Sequence, residues 1–496
     1  MPHSVIVIGA GFAGISAATS LAHKGYRVTV LEKNSMAGGR ARVFHAEGFK
    51  FDMGPSWYWM PDVFETYFQQ FGKQPSDYYD LVRLDPSYRV YWGEGEYWDI
   101  PSRMKGIEDL LESVEPGAGA RLQEFLAEAS YKYEVGINDL VYKPGRRLTE
   151  FADWRVVKGV FKLHLFQSFA KYVRKYFSDP RILSLIEFPV LFLGAKPKDT
   201  PALYSLMNYA DMELGTWYPP GGMHEIVKGM QTLAEEKGVQ FVFDSEVKEI
   251  QVNDRSAKRV VTQDGRTFEA DIVVGGGDYH HIEQHLLPRD YRTYDEDYWK
   301  GRTMAPSCLL FYLGVNKRLK NLLHHNLFFD EDFDNHAVEI YDNPMWPTNP
   351  LFYACVPSVT DPGVAPEGME NLFLLMPVAP GLENDDEATR ERYYDMLMTR
   401  LEKVTGQNVR DHVIYKRSYA HSDFVEDYHA FRGNAYGLAN TLKQTAILKP
   451  SLKSREIHNL YYTGQLTVPG PGVPPSLISG TVVAREIEKE FKNVRV

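Results

Sequence analysis

The sequence predicts an α/β protein in which a domain built on a parallel sheet is interleaved with a second region of mixed strands and helices. A glycine-rich turn lies between a strand and a helix at the amino terminus, and further apolar strands follow far along the chain. A mainly helical segment, 105–200, separates them. At 496 residues the chain is long enough for two or more domains.

The amino-terminal strand, turn and helix form the first element. Val5 to Ile8 is a β-branched run typical of buried parallel strands. Gly9, Gly11 and Gly14 follow in G-x-G-x-x-G spacing, and the next strand ends at Glu32. These glycines let the backbone approach a pyrophosphate at the helix N-terminus, and the carboxylate accepts hydrogen bonds from a ribose. The pattern therefore predicts a dinucleotide site.

The segment after Glu32, which begins with Lys33, distinguishes between dinucleotides. Its AGGRAR sequence contains Gly39 and Arg40. It resembles the extension found in flavin enzymes of the amine-oxidase and carotenoid-desaturase superfamily. The resemblance implies FAD rather than NAD, with Arg40 over the pyrophosphate, where a planar guanidinium suits paired phosphate oxygens.

Two distant segments are expected to complete the FAD site. In residues 239–274 we expect strands and a hairpin at Asp264-Gly265. The resemblance places the backbone of Val247 against the adenine. Near the carboxyl terminus we expect a strand at 460–462, a loop from Gly464 and a helix over 476–491, with Val473 near the flavin. The resemblance also implies an acidic residue after Gly464 in many relatives, but this chain has Gln465. This difference weakens the prediction of a carboxylate that binds the ribitol there.

These segments predict a discontinuous FAD-binding domain over residues 1–90, 220–300 and 455–496. Residues 91–219 and 301–454 then form the region that binds substrate and associates with a membrane. In the second of these ranges we expect strands at 308–314 and 371–377 and a helix over 386–404.

The net charge of −11 argues against nucleic acid as a partner. One segment departs from this acidic average: residues 155–177 carry six Lys or Arg and no Asp or Glu. Its charges fall on two sides of a helix, so it is either a membrane-contacting helix or an ordinary surface helix with extended lysines. We expect a cytoplasmic protein, peripheral on the inner face of the cell membrane, since no signal peptide or spanning segment is visible.

No metal site is predicted. His281 and His285 have i, i+4 spacing but no evident third ligand, and the pair His324-His325 has no support either. Cys308 lies in an apolar strand and is expected in the core rather than as a nucleophile. Two cysteines cannot build a disulfide framework.

Longer stretches resemble the bacterial-type phytoene desaturases from end to end. They are FDMGPSWYWMPDVFE, EFPVLFLGAKPKDTPALYSLMNYADMELGTWYPPGGM and YYTGQLTVPGPGVPPSLISG. The resemblance implies a Rossmann-like, GDP-dissociation-inhibitor-like two-domain flavoprotein. It implies stepwise desaturation of phytoene, most simply through to lycopene, with FAD as the redox cofactor. Because no second G-x-G-x-x-G follows a strand, we expect a quinone or oxygen as the electron acceptor.

The segment GPSWYWMP is expected at the centre of the site. Gly54, Pro55 and Ser56 follow the GGR element closely enough to reach the flavin. Trp57, Tyr58 and Trp59 would wall the apolar tunnel, because a polyene offers only apolar and π surface. The alternative is that individual rings belong to an ordinary core.

Asp211 and Glu213 are the candidate proton acceptors. Both precede the point where the chain re-enters the flavin domain, and desolvation beside a hydrocarbon would raise a carboxyl pKa toward neutrality. The alternative is that both carboxylates have structural roles.

Several other functions stay open at this point: a desaturase of a thirty-carbon or hydroxylated carotenoid, a carotenoid isomerase, an amine oxidase, or a non-redox carrier of prenyl lipids. Substrate length, product geometry, the number of steps and the oligomeric state are not readable from the sequence.

Overall fold

The computed structural model describes residues 2–146, 150, 167–441 and 444–491. Within these residues, the strands form five sheets. In chain order the strands are β1 (Ser4–Ile8), β2 (Arg27–Leu31), β3 (Val43–Ala46), β4 (Phe49–Asp52), β5 (Val82–Arg83), β6 (Tyr88–Gly93), β7 (Glu96–Ile100), β8 (Trp217–Tyr218), β9 (Gln240–Val242), β10 (Val247–Asn253), β11 (Ser256–Thr262), β12 (Thr267–Glu269), β13 (Ile272–Gly275), β14 (Ser307–Val315), β15 (His325–Phe328), β16 (Phe352–Cys355), β17 (Glu370–Val378), β18 (Val413–Tyr419) and β19 (Leu460–Tyr462).

The α-helices alternate with these strands along the chain. In chain order they are α1 (Phe12–His23), α2 (Pro61–Gln69), α3 (Met104–Val114), α4 (Ala118–Glu134), α5 (Phe169–Val173), α6 (Pro180–Glu187), α7 (Leu206–Met212), α8 (His224–Glu236), α9 (Tyr279–His285), α10 (Glu296–Lys300), α11 (Phe333–Tyr341), α12 (Glu387–Thr405), α13 (His421–Tyr428) and α14 (Val473–Phe491).

A five-stranded parallel sheet gathers segments from both ends and the middle of the chain. Its order is β19-β13-β1-β2-β9, and Val5 pairs with Val28 on one side and with Ile272 on the other. Four of these strands are apolar runs buried by helices, as parallel sheets require. The predicted strands at the amino terminus, at 272–274 and at 460–462 are confirmed, and so is the hairpin, which β11 and β12 form.

Helices α1 and α14 pack closely beside this sheet because their facing residues are small. A Cβ added at Gly480 would lie 2.4 Å from the carbonyl oxygen of Ala13. The Ser16 hydroxyl donates to the carbonyl of Leu477 at 2.7 Å. Helix α14 begins at Val473, three residues before the predicted start, because proline is tolerated in the first turn of a helix.

The second large sheet has seven strands in the order β18-β14-β17-β16-β15-β6-β7. All neighbours are antiparallel except β6 and β15. The predicted strands at 308–314 and 371–377 are β14 and β17, and the predicted helix over 386–404 is α12. Strand β6 begins at Tyr88, so the last residues of the predicted segment 1–90 belong to this second sheet. The remaining domain boundaries stay predictions.

The segment 105–200 is helical in its described parts, with helices α3 to α6. Residues 155–166 of the basic stretch lie outside the described residues, whereas 167–177 contain α5. No helix in the described part of the chain is both long enough and apolar enough to cross a bilayer.

Candidate active site

A large cavity is lined by residues of both large sheets. Thirteen of the fourteen residues predicted to bind the cofactor line it: Gly9, Gly11, Glu32, Lys33, Gly39, Arg40, Gly54, Pro55, Ser56, Val247, Gly464, Gln465 and Val473. Gly14 does not. The tertiary structure thus brings together residues that are up to 464 positions apart in the chain, although the role of each residue stays a prediction.

The three fingerprint glycines have different surroundings. A Cβ at Gly11 would meet no heavy atom within 4 Å, so this position faces open space in the cavity. A Cβ at Gly14 would lie 2.0 Å from the Gly9 carbonyl oxygen, which places Gly14 in the packing of the turn. Gly9 has φ +99° and lies against Gly276. The expectation that Gly14 contacts the cofactor is therefore corrected to a packing role, which G-x-G-x-x-G turns need as well.

Glu32 is held at the end of β2 by backbone and side-chain donors. Its Oε2 accepts from the amide of Ala10 at 2.7 Å, and its Oε1 accepts from the amide and the side chain of Asn34, both at 2.9 Å. An ionised carboxylate has about four acceptor sites. Glu32 therefore has capacity left for a ribose hydroxyl in the cavity that it lines.

Arg40 is half-buried between the glycine turn and the carboxyl-terminal loop. Its Nη2 donates to the carbonyl of Asn434 at 3.0 Å. With the Gln465 amide oriented so that its nitrogen donates to the Tyr436 carbonyl, the amide oxygen accepts from Arg40 Nη1 and Nη2 at 3.2 and 3.0 Å. Burial lowers the pKa of Arg40. Arg40 Nε has no hydrogen-bond partner among the described residues.

An unpaired, buried guanidinium N–H needs an acceptor, and an anionic one satisfies it best. The pyrophosphate of a dinucleotide is such an acceptor, and the open space at Gly11 lies in the same cavity. The residues present therefore fit FAD. Gln465, which replaces the acidic residue of many relatives, contacts Arg40 instead of standing free for a ribitol.

Several residues at this end of the cavity carry no recognisable motif. His281 stacks on His429 with ring centroids 3.9 Å apart, and His429 Nε2 lies 2.8 Å from Glu246 Oε1. Burial lowers the pKa of His281 to about 3. Gly276-Gly277-Asp278, directly after β13, also lines the cavity. The sequence GGGD after an apolar strand could have predicted this loop. The histidine stack could not be predicted, because its two residues lie 148 positions apart in the chain.

The other end of the cavity is apolar, and Trp57 and Trp59 form part of its wall. Trp59 Nε1 donates to Thr216 Oγ1 at 2.9 Å. Tyr58 does not line the cavity. Its ring stacks on Phe64 at 4.5 Å and its hydroxyl lies 3.1 Å from that of Tyr79, so the prediction for this ring is wrong.

The physical reason is the extended backbone of this stretch, in which successive side chains point to opposite sides. Trp57 and Trp59 share one side and Tyr58 takes the other, and its backbone pairs with that of Trp217 in an antiparallel β-bridge.

Beside Trp57, three polar side chains connect the cavity to the second sheet. Ser56 Oγ lies 3.0 Å from the Tyr353 hydroxyl, which lies 2.6 Å from His325 Nδ1. Ser56 and Tyr353 line the cavity. The His325 ring is parallel to the indole of Trp57, with centroids 4.1 Å apart and an interplanar angle of 9°.

Neither predicted carboxylate lines the cavity. Asp211 is buried behind the wall, where it accepts from Tyr88 at 2.8 Å and from Thr216 at 3.5 Å. Burial raises its pKa to about 7. Glu213 is exposed at the end of α7. The expectation that either takes the substrate proton directly is therefore wrong, because a carboxylate with no face on the cavity has no contact with substrate.

The histidine and cysteine candidates also have defined places. Cys308 is buried in the cavity wall, and burial raises its pKa. Donor atoms of His324, His325 and Cys355 lie within 4.8 Å of one another, all buried. This grouping was not predicted, because Cys355 reaches the histidines only through the pairing of β15 with β16.

Residues 12–488 match the family described as flavin containing amine oxidoreductase. A Rab GDP-dissociation inhibitor from Plasmodium falciparum has the same fold, with a TM-score of 0.56 and 11% identity over 98% of this chain and 97% of that one. The fold and the cavity thus define a two-domain flavin-dependent oxidoreductase. The predictions of FAD and of a GDP-dissociation-inhibitor-like fold are confirmed.

Full-length relatives narrow this class. A carotenoid 3,4-desaturase from Haloarcula japonica is 43% identical over 98% of both chains. A zeta-carotene-forming phytoene desaturase from Myxococcus xanthus is 31% identical over 97% of this chain and 93% of its own. The chain belongs to the carotenoid desaturases of the flavin-containing amine oxidoreductase family.

Proposed function

We propose that this protein introduces the 3,4 double bond of a carotenoid, using FAD and no nicotinamide. The observation that carries this choice of bond is the 43% identity, over nearly the whole of both chains, to a carotenoid 3,4-desaturase. The phytoene desaturase is more distant at 31% identity over a similar length. The 3,4 bond replaces our sequence-based expectation of lycopene formation as the first candidate.

The site geometry supports a hydrocarbon substrate. Trp57, Trp59, Phe188 and Phe329 line the cavity and form one cluster, in which Phe188 contacts the other three rings. A polyene gains most of its binding energy from apolar area and from contacts with aromatic faces. When bound, the flavin supplies the hydride acceptor. The chain's own residues bind the polyene, exclude water from it and orient it.

Conversion of phytoene to lycopene is the second candidate. The end-to-end resemblance and the 31% identical phytoene desaturase support it. In either case an external oxidant must take the electrons, and we propose a quinone or oxygen, since the chain has one dinucleotide fingerprint.

Incubation of purified protein with FAD, quinone and one carotenoid at a time tests both candidates. The panel contains phytoene, lycopene, a hydroxylated forty-carbon carotenoid and a thirty-carbon phytoene analogue, with products identified by chromatography and mass. We expect loss of two hydrogens at carbons 3 and 4 of a forty-carbon carotenoid, with phytoene unchanged. Conversion of phytoene to lycopene supports the second candidate, and selective turnover of the thirty-carbon compound contradicts both.

We also propose that the protein works at a membrane surface on the cytoplasmic side. The substrate dissolves in lipid, and the stretch 155–177 is basic and apolar. In its described part, Lys171 is exposed on α5, whereas Arg174 is paired with Glu187. Lys171 is therefore the better placed of the two to face anionic lipid.

A further inference from the structure

The cavity wall beside Trp57 contains a continuous set of hydrogen-bonding side chains that ends on a buried imidazole. Ser56 and Tyr353 lie on the cavity surface, and His325 lies behind Tyr353 with no solvent exposure. The Tyr353 hydroxyl has two acceptors within hydrogen-bonding range: it donates to Ser56 Oγ at 3.0 Å, and it lies 2.6 Å from His325 Nδ1. Because Tyr353 itself lines the cavity, a proton can pass from the cavity to His325 when this hydroxyl turns toward Nδ1.

Desaturation requires such a proton acceptor, since a hydride and a proton leave neighbouring carbons. Four carboxylates line the described cavity, and each is engaged at the glycine-turn end. Glu32 holds the amide of Ala10, Glu246 contacts His429, Asp278 caps α9 and Asp427 pairs with Arg42. None of them lies beside the tryptophans.

The other histidine at the apolar end is already committed to the backbone. His336 Nε2 lies 2.9 Å from the Pro377 carbonyl, and its Nδ1 accepts from the amide of Leu351 at 3.1 Å. His325 differs, because its Nδ1 has only the hydroxyl of Tyr353 and its Nε2 has no hydrogen-bond partner in the described structure.

We propose that His325 Nδ1 is the terminal proton acceptor of the desaturation, reached through the hydroxyl of Tyr353. This inference rests on the proposed function. The substrate carbon gives its proton to the Tyr353 oxygen as Tyr353 gives its own proton to Nδ1, and Ser56 Oγ holds the Tyr353 hydroxyl at the cavity surface. The electrons of the broken C–H bond form the new C=C bond, and the hydride of the neighbouring carbon goes to the flavin. After the product has left, the proton returns through Tyr353 to water or to the external oxidant in the cavity.

The surroundings of His325 suit this role. Burial lowers its pKa well below the usual value, so the ring is neutral and able to accept. A weak base suffices, because a C–H bond next to an allylic cation is strongly acidic. The flanking His324 and Cys355 are neutral as well, since burial lowers the histidine pKa to about 3 and raises the thiol pKa to about 12. The parallel indole of Trp57 then stabilises the imidazolium by a cation–π contact.

Anaerobic single-turnover reduction of the FAD-loaded enzyme by its carotenoid tests the relay. In His325→Asn the amide can keep a hydrogen bond to Tyr353 but cannot take up a proton. Tyr353→Phe keeps the ring and removes the hydroxyl that links the cavity to His325. We expect flavin bleaching to slow by roughly 10²–10⁴-fold in each variant. We also expect the wild type, and neither variant, to react more slowly in D₂O than in H₂O.

His324→Asn is the matched control, because it makes the same substitution in the same buried cluster, while His324 Nδ1 lies 2.9 Å from the Thr360 hydroxyl, outside the relay. It should keep both the rate and the solvent isotope effect. Equal losses in His324→Asn and His325→Asn would show that repacking, not proton transfer, slows the reaction, and would overturn the relay.

¹⁵N NMR of histidine-labelled resting enzyme tests the same point without substrate. His325, assigned by its absence in His325→Asn, should be protonated on Nε2 and unprotonated on Nδ1. A proton on Nδ1 would overturn the relay and leave the proposed function in place. Full activity of both relay variants on a carotenoid that the wild type desaturates would do the same. A wild type inert toward every carotenoid supplied would overturn the proposed function, and the relay with it.

Discussion

The carboxylate of Asp211 accepts a hydrogen bond from the Tyr88 hydroxyl at 2.8 Å, in a buried layer behind the aromatic wall of the cavity. The ring of Tyr88 meets Trp57 edge-on at 5.4 Å. On its other side, Asp211 is joined through Thr216 to the indole nitrogen of Trp59. Asp211 thus holds both cavity tryptophans from behind, as a positioning residue.

Asp211→Asn should remove part of the dependence of stability on pH. Burial raises the pKa of Asp211 to about 7, so between pH ~4 and ~7 the folded state binds more protons than the unfolded state. The protonated Asp211 therefore contributes to the unfolding free energy. This contribution is fully present below pH ~4 and declines by about 1.4 kcal/mol per pH unit toward pH ~7. The asparagine cannot ionise, so the stability of the variant relative to wild type should rise from pH 5 to pH 8 in denaturation midpoints.

Glu213→Gln is the control for this comparison, because Glu213 is exposed two residues away. Its midpoints should follow those of the wild type at every pH. The raised pKa of Asp52, about 6, affects all three proteins equally and cancels. A constant difference between Asp211→Asn and the wild type would contradict the assignment.

Gly11→Val and Gly14→Val should separate cofactor binding from folding. The valine at position 11 projects into open cavity, so the apoprotein should keep its melting temperature while FAD affinity falls by at least about 100-fold, roughly 2.7 kcal/mol. The valine at position 14 meets the Gly9 carbonyl and should destabilise the apoprotein itself. Flavin titration and thermal melts measure the two effects. Full FAD content in folded Gly11→Val would exclude the turn as the dinucleotide site.

Trp57→Leu and Tyr58→Phe should differ although the residues are neighbours. Trp57 lines the cavity, so the leucine should raise the KM for a carotenoid about tenfold, or about 1.4 kcal/mol, with flavin still bound. Tyr58→Phe loses only the contact with Tyr79, which is worth about 1 kcal/mol of stability, and should leave KM unchanged. Equal effects on KM would contradict the separation of these rings.

Reversal of Lys158, Lys162 and Lys171 to glutamate should weaken sedimentation with vesicles of phosphatidylglycerol and phosphatidylcholine. Each basic residue near an anionic surface contributes about 1 kcal/mol, and the effect should disappear in high salt. Reversal of Lys248, Lys258 and Lys320 to glutamate is the charge-matched control: all three are exposed and lie outside this stretch, so this variant should bind like the wild type. Unchanged binding of the triple variant at low salt would identify the stretch as an ordinary surface helix.

The nucleotide half of the site could be predicted because the residues that form it occur in short, local sequence patterns. Gly9, Gly11, Glu32 and Arg40 lie within about thirty residues, and their spacing follows from the geometry of one strand, one turn and one helix. The apolar strands of both sheets could be predicted for the same reason, since burial on both faces leaves a continuous hydrophobic run.

The substrate half depended on tertiary packing. Tyr353 and Ser56 are 297 residues apart, and only the pairing of β15 with β16 brings His325 next to them. An extended chain predicts that Trp57 and Trp59 point to one side and Tyr58 to the other. Which of these two sides faces the cavity depends on the sheet against which the segment packs. Asp211 shows the same limit: a carboxylate near a site in sequence reaches the substrate only if packing turns it inward, and here packing places it behind the wall.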